Sequence, residues 1–567
     1  MKRFYFSCLL IGSFFSITSF GQTIDYKNSD YYRNPLSFPI QLAADFGELR
    51  TNHYHMGLDI RTQQVENKPV FAAADGYVSR VYISPSGYGN MMMVVHPNGT
   101  TTLYAHLNRF YDELTEYVKE QQYKSQSWEQ DMAIPDGLFP VAKGQEIALS
   151  GNTGGSEGPH LHFEIRDSKT GFHYNPQLEG IDIPDNIPPV VTGFYWYDRR
   201  FSTYQTGANA IMLRSDMEGY TTRMVKVPTP MVGLGIASKD KTSNSPFYFG
   251  IYSAQVFLDG KQVFQFRLNN FDNAHSRYVN AGTDYKRIAL GGSKVQYLFV
   301  LPGNKLNIFD GTVGDGSINL ADTLVHDILV KVSDAKGNES YIKSQIQFVP
   351  GLEDEPTFPT GNFLALPNKA GHFQTANASF TYSENAFYDL VPFNMYESAS
   401  TAGWQFSPTI HVGDYYIPIH DFYTVAVNYQ GDASWKDRVV LQLKSGRNTA
   451  VTKGTWSGNR LVGKFNRLGN VAIILDTVAP RIIPVNVKKN SVLTANGRLV
   501  VRVSDNLGDI QSFKGTVDGH WLLFSRKNNT FTYENDGHFS TGEHIVEFTV
   551  KDITGNQTVR QLKVVKR

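Results

Sequence analysis

Along most of the chain, apolar and polar residues alternate over short runs separated by Gly, Asn, Asp and Pro. This two-residue period predicts strands rather than helices. Phe71-Ala-Ala-Ala-Asp-Gly-Tyr-Val-Ser-Arg-Val-Tyr-Ile83 predicts two short strands around a turn at Gly76. Asn90-Met-Met-Met-Val-Val-His96 and Thr100 to His106 predict a hairpin about Pro97-Asn98-Gly99. Gln145 to Ser150 and His160 to Arg166 predict further strands. One stretch departs from the pattern. Arg109 to Ala133 is charged and rich in Gln and Tyr, with helical spacing over Tyr111 to Tyr123, and predicts an inserted helix or surface loop over a β core.

Beyond residue 183 the pattern repeats itself. Asp185-Asn-Ile-Pro-Pro189 and Asp476-Thr-Val-Ala-Pro480 are similar proline-containing junctions, each followed by an alternating apolar segment. Val332-Ser-Asp-Ala-Lys-Gly-Asn338 and Val550-Lys-Asp-Ile-Thr-Gly-Asn556 share an Asp-x-x-Gly-Asn turn, and Val503-Ser-Asp-Asn506 is a related fragment. The recurrence predicts immunoglobulin-like modules over 184–350 and 477–567, the first long enough to hold an insertion. Residues 351–476 predict a further β-rich unit whose topology the pattern does not name. The fold class expected is mainly β.

Composition sharpens this picture. A chain of 567 residues is too long for one core. Its 31 Tyr and 37 Phe favour strand-rich domains, and its formal net charge of zero offers no electrostatic case for nucleic acid or an anionic membrane. Lys2 and Arg3 followed by the mostly apolar or small run Phe4 to Phe20 predict an export signal over 1–21, hence a periplasmic, envelope or secreted protein. The single cysteine, Cys8, lies inside that signal, so a metal in the mature chain must be held by His and carboxylate. No later stretch reaches the roughly 18 apolar residues of a membrane helix.

The candidate chemistry lies in two short segments, His55-Met-Gly-Leu-Asp59 and Gly158-Pro-His-Leu-His-Phe-Glu164. On a strand, His160 and His162 project from one face, with Leu161 and Phe163 directed into the core behind them. His55 and Asp59 flank Gly57, which permits a tight path and close approach. His55, Asp59 and one downstream histidine make a His₂Asp set with the other histidine free as a base, and spacing alone does not say which is which. The small-residue loop Gly151 to Pro159 is expected to be flexible and to leave a cleft wall open. His53 and His96 are expected at the surface.

Taken with Pro69-Val-Phe-Ala-Ala-Ala-Asp-Gly-Tyr-Val78, Gly87-Tyr-Gly-Asn90, Tyr104-Ala-His-Leu107, Gly144-Gln145 and Ser150-Gly-Asn-Thr-Gly154, these segments give residues 45–176 a clear likeness. This part resembles the lysostaphin-type zinc metallopeptidases, peptidoglycan endopeptidases with a duplicated hybrid motif fold. The resemblance implies an antiparallel β-sheet domain over 22–183, with Zn2+ held by His55, Asp59 and His162. It implies His160 as general base on the zinc-bound water and His106 as a group that orients or stabilises the tetrahedral intermediate. The implied substrate is the stem peptide of peptidoglycan. The Arg109–Pro140 segment is longer than the family's usual connection.

The competing reading is a catalytically silent envelope scaffold or wall-binding activator on the same fold. The C-terminal β domains are candidates to bind an envelope partner or sugar. Trp196, Trp404, Trp435 and Trp521 are nevertheless expected in sandwich cores. The Gly/Asn/Asp turns resemble calcium loops, although no ligand-complete repeat stands in the sequence.

Overall fold

The structure, a computed structural model, describes residues 30–567 apart from 217–218, 353–360, 401, 489, 494–496 and 509. The expected signal, 1–21, lies outside the described residues. As expected, the chain is mainly β.

The N-terminal sheet is built from β1 (Leu42–Ala44), β2 (Leu58–Arg61), β3 (Gly76–Ile83), β4 (Asn90–Val95), β5 (Thr100–Ala105), β6 (Gln130–Ala133) and β7 (His160–Asp167). Its spatial order is β1-β2-β7-β5-β4-β3-β6. The pairings along this path are antiparallel. Alternation decides its faces. Leu58, Ile60, Tyr104, Leu161 and Phe163 are fully buried in one core, while the intervening residues of β2 and β7 turn to the opposite face. The long segment after β5 contains α1 (Asp112–Ser125), which buries Leu114 and Val118 against that core, and then β6, which pairs with β3.

Residues 190–348 form two sheets over a shared core. One contains β8 (Val190–Asp198) and β9 (Met231–Lys239); the other contains β10 (Val325–Ser333) and β11 (Glu339–Phe348). Three short helices over residues 273–289 interrupt these sheets, and the chain then returns to the first sheet at residues 296–297 and 318–319. This unit is fused to the first. Phe46 and Tyr54, from the segment around β1 and His55, lie in its core. Its residues 270–271 also extend the N-terminal sheet by pairing with His173–Tyr174.

Residues 363–475 form two five-stranded sheets and one two-stranded sheet over one core, and residues 481–566 form two sheets over another. The last unit packs back on the first. Tyr123 of α1 stacks on His538 with ring centroids 3.7 Å apart and meets the Trp521 edge at 5.2 Å. Its hydroxyl donates to Asp536, and Lys119 Nζ donates to the Asp536 carbonyl at 3.3 Å.

The tryptophan expectation needs correction. Trp404 and Trp435 are exposed, Trp196 lies half-buried at a core margin, and Trp521 serves the contact with Tyr123. His96, expected at the surface, lies inside. It is buried, with Nδ1 2.8 Å from the Asp75 carbonyl and Nε2 2.7 Å from Thr102 Oγ1, because the turn after it folds the ring back beneath the hairpin.

Candidate metal centre

Strand register assembles the site. In the β2–β7 ladder Asp59 stands directly opposite His162, and His160 opposite Arg61. In the β7–β5 ladder His162 stands opposite Ala105, so His106 follows at the end of β5 beside it. His55 arrives from the turn before β2. Gly57 makes this approach possible: a Cβ there would lie 2.4 Å from the Phe163 carbonyl oxygen.

Three donor atoms converge. His55 Nε2 is 3.1 Å from Asp59 Oδ1 and 3.1 Å from His162 Nδ1, while His162 Nδ1 is 2.7 Å from Asp59 Oδ1. All three residues are buried. Each imidazole is turned by a partner on its other nitrogen. His55 Nδ1 bonds the Asp45 carbonyl at 2.6 Å, and His162 Nε2 bonds Glu164 Oε1 at 2.7 Å. Such partners fix the tautomer and aim the lone pair of a ligand histidine. Arg50 bonds the outer oxygen of Asp59, Oδ2, at 2.5 Å.

His160 and His106 flank this point. His160 Nε2 is 3.5 Å from Asp59 Oδ1, and its Nδ1 lies 2.8 Å from the Gly158 carbonyl. His106 Nδ1 lies 2.8 Å from the Thr153 carbonyl, and its ring centroid is 4.6 Å from that of His160. A carbonyl can only accept, so in both rings Nδ1 carries the hydrogen and Nε2 keeps its lone pair toward the groove. His106 adopts φ +59, which turns its ring in at the strand end. His53 turns away, its Nδ1 3.1 Å from the Thr51 carbonyl.

Burial sets the electrostatics. It lowers His55, and it lowers His106 to about 3 with help from His160 and His162. Both rings are therefore neutral at ordinary pH. Burial also acts against the charge of Asp59, but the surrounding imidazoles outweigh it and hold that carboxyl well below its usual range. For His162 burial is outweighed by the bonds to Asp59 and Glu164, which raise it to about 9.

Glu164, Tyr88, Arg166, His173, Asp45 and Arg50 complete the surroundings of the site beyond the residues expected from the sequence. Glu164 is fully buried and accepts from Tyr88 at 2.7 Å and from Arg166 at 2.6 Å, with His173 Nδ1 3.0 Å from Oε2. Its alternation with His162 along β7 was the available signal, since residues i and i+2 share a face. Arg50 and Asp45 carry no such signal because tertiary folding alone brings them in.

The site opens into a groove of about 790 Å³ lined by Arg50, Arg61, His106, His160, the Gly155–Pro159 loop and Phe247 of the adjoining unit. The loop is tied to the neighbouring segments at Thr153 and Gly155. Thr153 Oγ1 accepts from Asn90 N at 2.9 Å and donates to the Leu107 carbonyl at 3.0 Å, and Gly155 N donates to the Gly87 carbonyl at 2.8 Å. Gly89 (φ +64) and Gly154 (φ +69) permit that contact; a Cβ on Gly154 would come within 2.3 Å of the Gly89 nitrogen.

Comparison with known proteins agrees with this geometry. Residues 53–126 and 139–176 match peptidase family M23, and residues 364–476 match the Zu5-like domain. An uncharacterized metalloprotease of Haemophilus influenzae is 35% identical over 151 residues, 26% of this chain and 25% of that protein. The DD-carboxypeptidase/endopeptidase Mpg of Neisseria meningitidis is 34% identical over 137 residues, 24% of this chain and 25% of its own length. The peptidoglycan DD-endopeptidase ShyA of Vibrio cholerae is 34% identical over 179 residues, 30% of this chain and 35% of its own. The chain thus spans about a quarter of the first two relatives and about a third of the last. His55, Asp59, His106, His160 and His162 all lie within the residues that match peptidase family M23.

Proposed function

We propose that this protein is an exported zinc metalloendopeptidase that hydrolyses peptide cross-links of bacterial peptidoglycan. The convergence of His55 Nε2, Asp59 Oδ1 and His162 Nδ1 carries the reading. Two imidazole nitrogens and one carboxylate oxygen, open on the groove side, fit catalytic zinc. The outer partners Asp45 and Glu164 fit it too, because they aim ring nitrogens inward. When bound, zinc supplies Lewis acidity to polarise a scissile carbonyl.

The chain's own residues supply the rest. His160, its Nδ1 tied to the Gly158 carbonyl, presents Nε2 to accept the proton of the attacking water. His106 presents a neutral Nε2 from the opposite side, suited to orient that water; it can donate to a developing oxyanion only after taking up a proton. Arg50 holds the free oxygen of Asp59, which keeps the other oxygen pointed inward. The groove admits an extended peptide. Relatives named DD-endopeptidases support the peptidoglycan stem peptide as substrate, and the envelope as the place of action follows from that substrate. Among the described residues no helix is long and apolar enough to cross a membrane.

The alternative of a silent scaffold predicts a ligand set with a missing member, whereas all three donors converge here. Purified mature protein incubated with sacculi tests the reading. Soluble muropeptides should appear, disappear with chelator and return with zinc. Release by the wild type no greater than by His160→Ala would sink it.

A further inference from the structure

Behind the His55 ligand, where the M23 domain meets the first sandwich, a second group of carboxylates comes together. Asp185 lies in the connection before β8, Asp240 directly follows β9, and Asp334 opens the Asp-x-x-Gly-Asn turn between β10 and β11. One oxygen from each lies within 4.8 Å of the others. Asp45, Asn175 and Gln177 of the N-terminal unit line the same cavity of about 10 Å³, room for one ion-sized occupant. The M23 domain, the connection and the sandwich thus all contribute oxygen donors to one small space.

Asp240 is the informative member. It is only 5% exposed, and its Oδ1 has no hydrogen-bond partner. A buried carboxylate oxygen left without a donor is costly, and native structures seldom leave one unexplained. Its neighbours are held in place. Asp334 accepts from Lys336 N at 2.8 Å, Asn338 N at 2.9 Å and Asn338 Nδ2 at 2.7 Å, and Asp185 accepts from Ile187 N at 3.0 Å. Burial first, then mutual repulsion, raises Asp240 to about 8. A cation at the centre would supply the missing partner and cancel the repulsion.

The donor chemistry selects the ion. Every donor is oxygen, which suits a hard cation and not zinc, whose sites favour imidazole and thiolate. Calcium tolerates an irregular set of carboxylate and amide oxygens, whereas magnesium demands a near-ideal octahedron. We propose that Asp185, Asp240 and Asp334 form a calcium site, with Asp45, Asn175 and Gln177 at its border, that clamps the first sandwich onto the M23 domain. Its position ties it to the other site. The backbone carbonyl of Asp45 holds His55 Nδ1 at 2.6 Å, while the Asp45 side chain borders the cluster.

The sequence recurrence acquires a meaning here. Asp476, Asp505 and Asp552 hold the equivalent places in the last sandwich: the junction, a strand end and the Asp-x-x-Gly-Asn turn. There, cationic side chains stand nearby. Lys453 is influenced by Asp552 and Asp476, and Arg438 donates to Asn556. The proposal therefore concerns the 185/240/334 group.

The test uses the full mature chain, zinc-loaded and in calcium-free buffer, titrated with calcium chloride by calorimetry and followed by thermal melting. One calcium per chain should bind with Kd of about 10⁻³ M or tighter. Calcium at about 100 times its measured Kd should raise Tm by several degrees, while equal magnesium does much less. Asp240→Asn, close to isosteric, should weaken binding at least about tenfold and abolish the Tm shift at unchanged zinc content; Asp334→Asn should do the same. No calcium binding by the wild type overturns the proposal, as does an equal effect of magnesium. Variants that bind calcium as tightly as the wild type overturn it as well. The outcome is independent of peptidase activity, because no readout uses hydrolysis.

Discussion

Asp59 and His162 face each other directly across two antiparallel strands, with Asp59 Oδ1 2.7 Å from His162 Nδ1. Two proposed ligands thus share one register position, and the ladder itself sets their separation. A one-residue slip of β2 against β7 would send Asp59 to the core face. The site is therefore as rigid as the sheet that carries it.

The first prediction concerns Glu164. Glu164→Gln removes the charge that holds His162 Nε2, and loss of such an outer partner typically weakens metal affinity about 10- to 100-fold. Competition with a chromophoric chelator measures this, with circular dichroism as a check that the buried Tyr88–Arg166 network survives. Unchanged zinc affinity would remove Glu164 from the proposed role.

The second follows from His162. Without metal, its raised value of about 9 means the ring stays protonated through neutral pH. His55, lowered by burial, has no such proton to lose. Zinc must displace the His162 proton, so apparent affinity should rise about tenfold per pH unit and level off above about 9. Calorimetry in buffers of different ionisation heat should count about one proton released at neutral pH.

The third separates base from ligand. His160→Ala should retain zinc and lower kcat by about 10²- to 10⁴-fold with little change in KM. His162→Ala should lose the metal itself. Zinc content by mass spectrometry alongside sacculus digestion distinguishes the two, and equal zinc loss in both variants would contradict the assignment.

The fourth tests the packing beneath the site. Gly57→Ala places a methyl group against the Phe163 carbonyl and forces β2 away from β7. Overpacking of this kind costs about 1–3 kcal/mol. Thermal melting should show the loss, and zinc affinity should fall with it because His55 shifts.

The fifth concerns the docked last sandwich. Tyr123→Ala removes the stack on His538 and the bond to Asp536, an aromatic pair worth about 0.5–1.5 kcal/mol beyond its buried area. Hydrogen exchange should accelerate around Trp521 and His538 and along α1. Unaltered exchange there would show that other contacts hold the unit in place.

Much of the M23 domain was legible in the chain because its cues are local. Alternation placed Leu161 and Phe163 in the core and His160 and His162 on the other face. Pro97-Asn98-Gly99 marked the hairpin, and helical spacing marked α1. The errors have a common origin. His96 looked like a surface residue beside a turn, yet its partners are Asp75 and Thr102, one of them 21 positions away. The small-residue composition of the Gly151–Pro159 loop did not show that Gly154 serves a close contact with Gly89 of the Gly87–Asn90 segment. Of the tryptophans expected in cores, Trp404 and Trp435 are exposed and Trp521 serves a contact between units, while Trp196 packs at a core margin.

The sequence by itself determined the candidate chemistry: histidines and a carboxylate suited to hold a metal on a β scaffold, with two histidines on one strand face. These follow from residue type and from the period of two, which are properties of neighbours along the chain. Only the tertiary structure decided which nitrogen of each ring points inward, because that depends on Asp45, Gly158, Thr153 and Glu164 as partners. It alone placed Arg50 on Asp59 and fused Phe46 and Tyr54 into the neighbouring core. It alone gathered Asp185, Asp240 and Asp334, residues up to 149 positions apart, around one cavity. The physical reason is that hydrogen-bond direction and charge clustering are set by distances in space, and separation along the chain does not encode them.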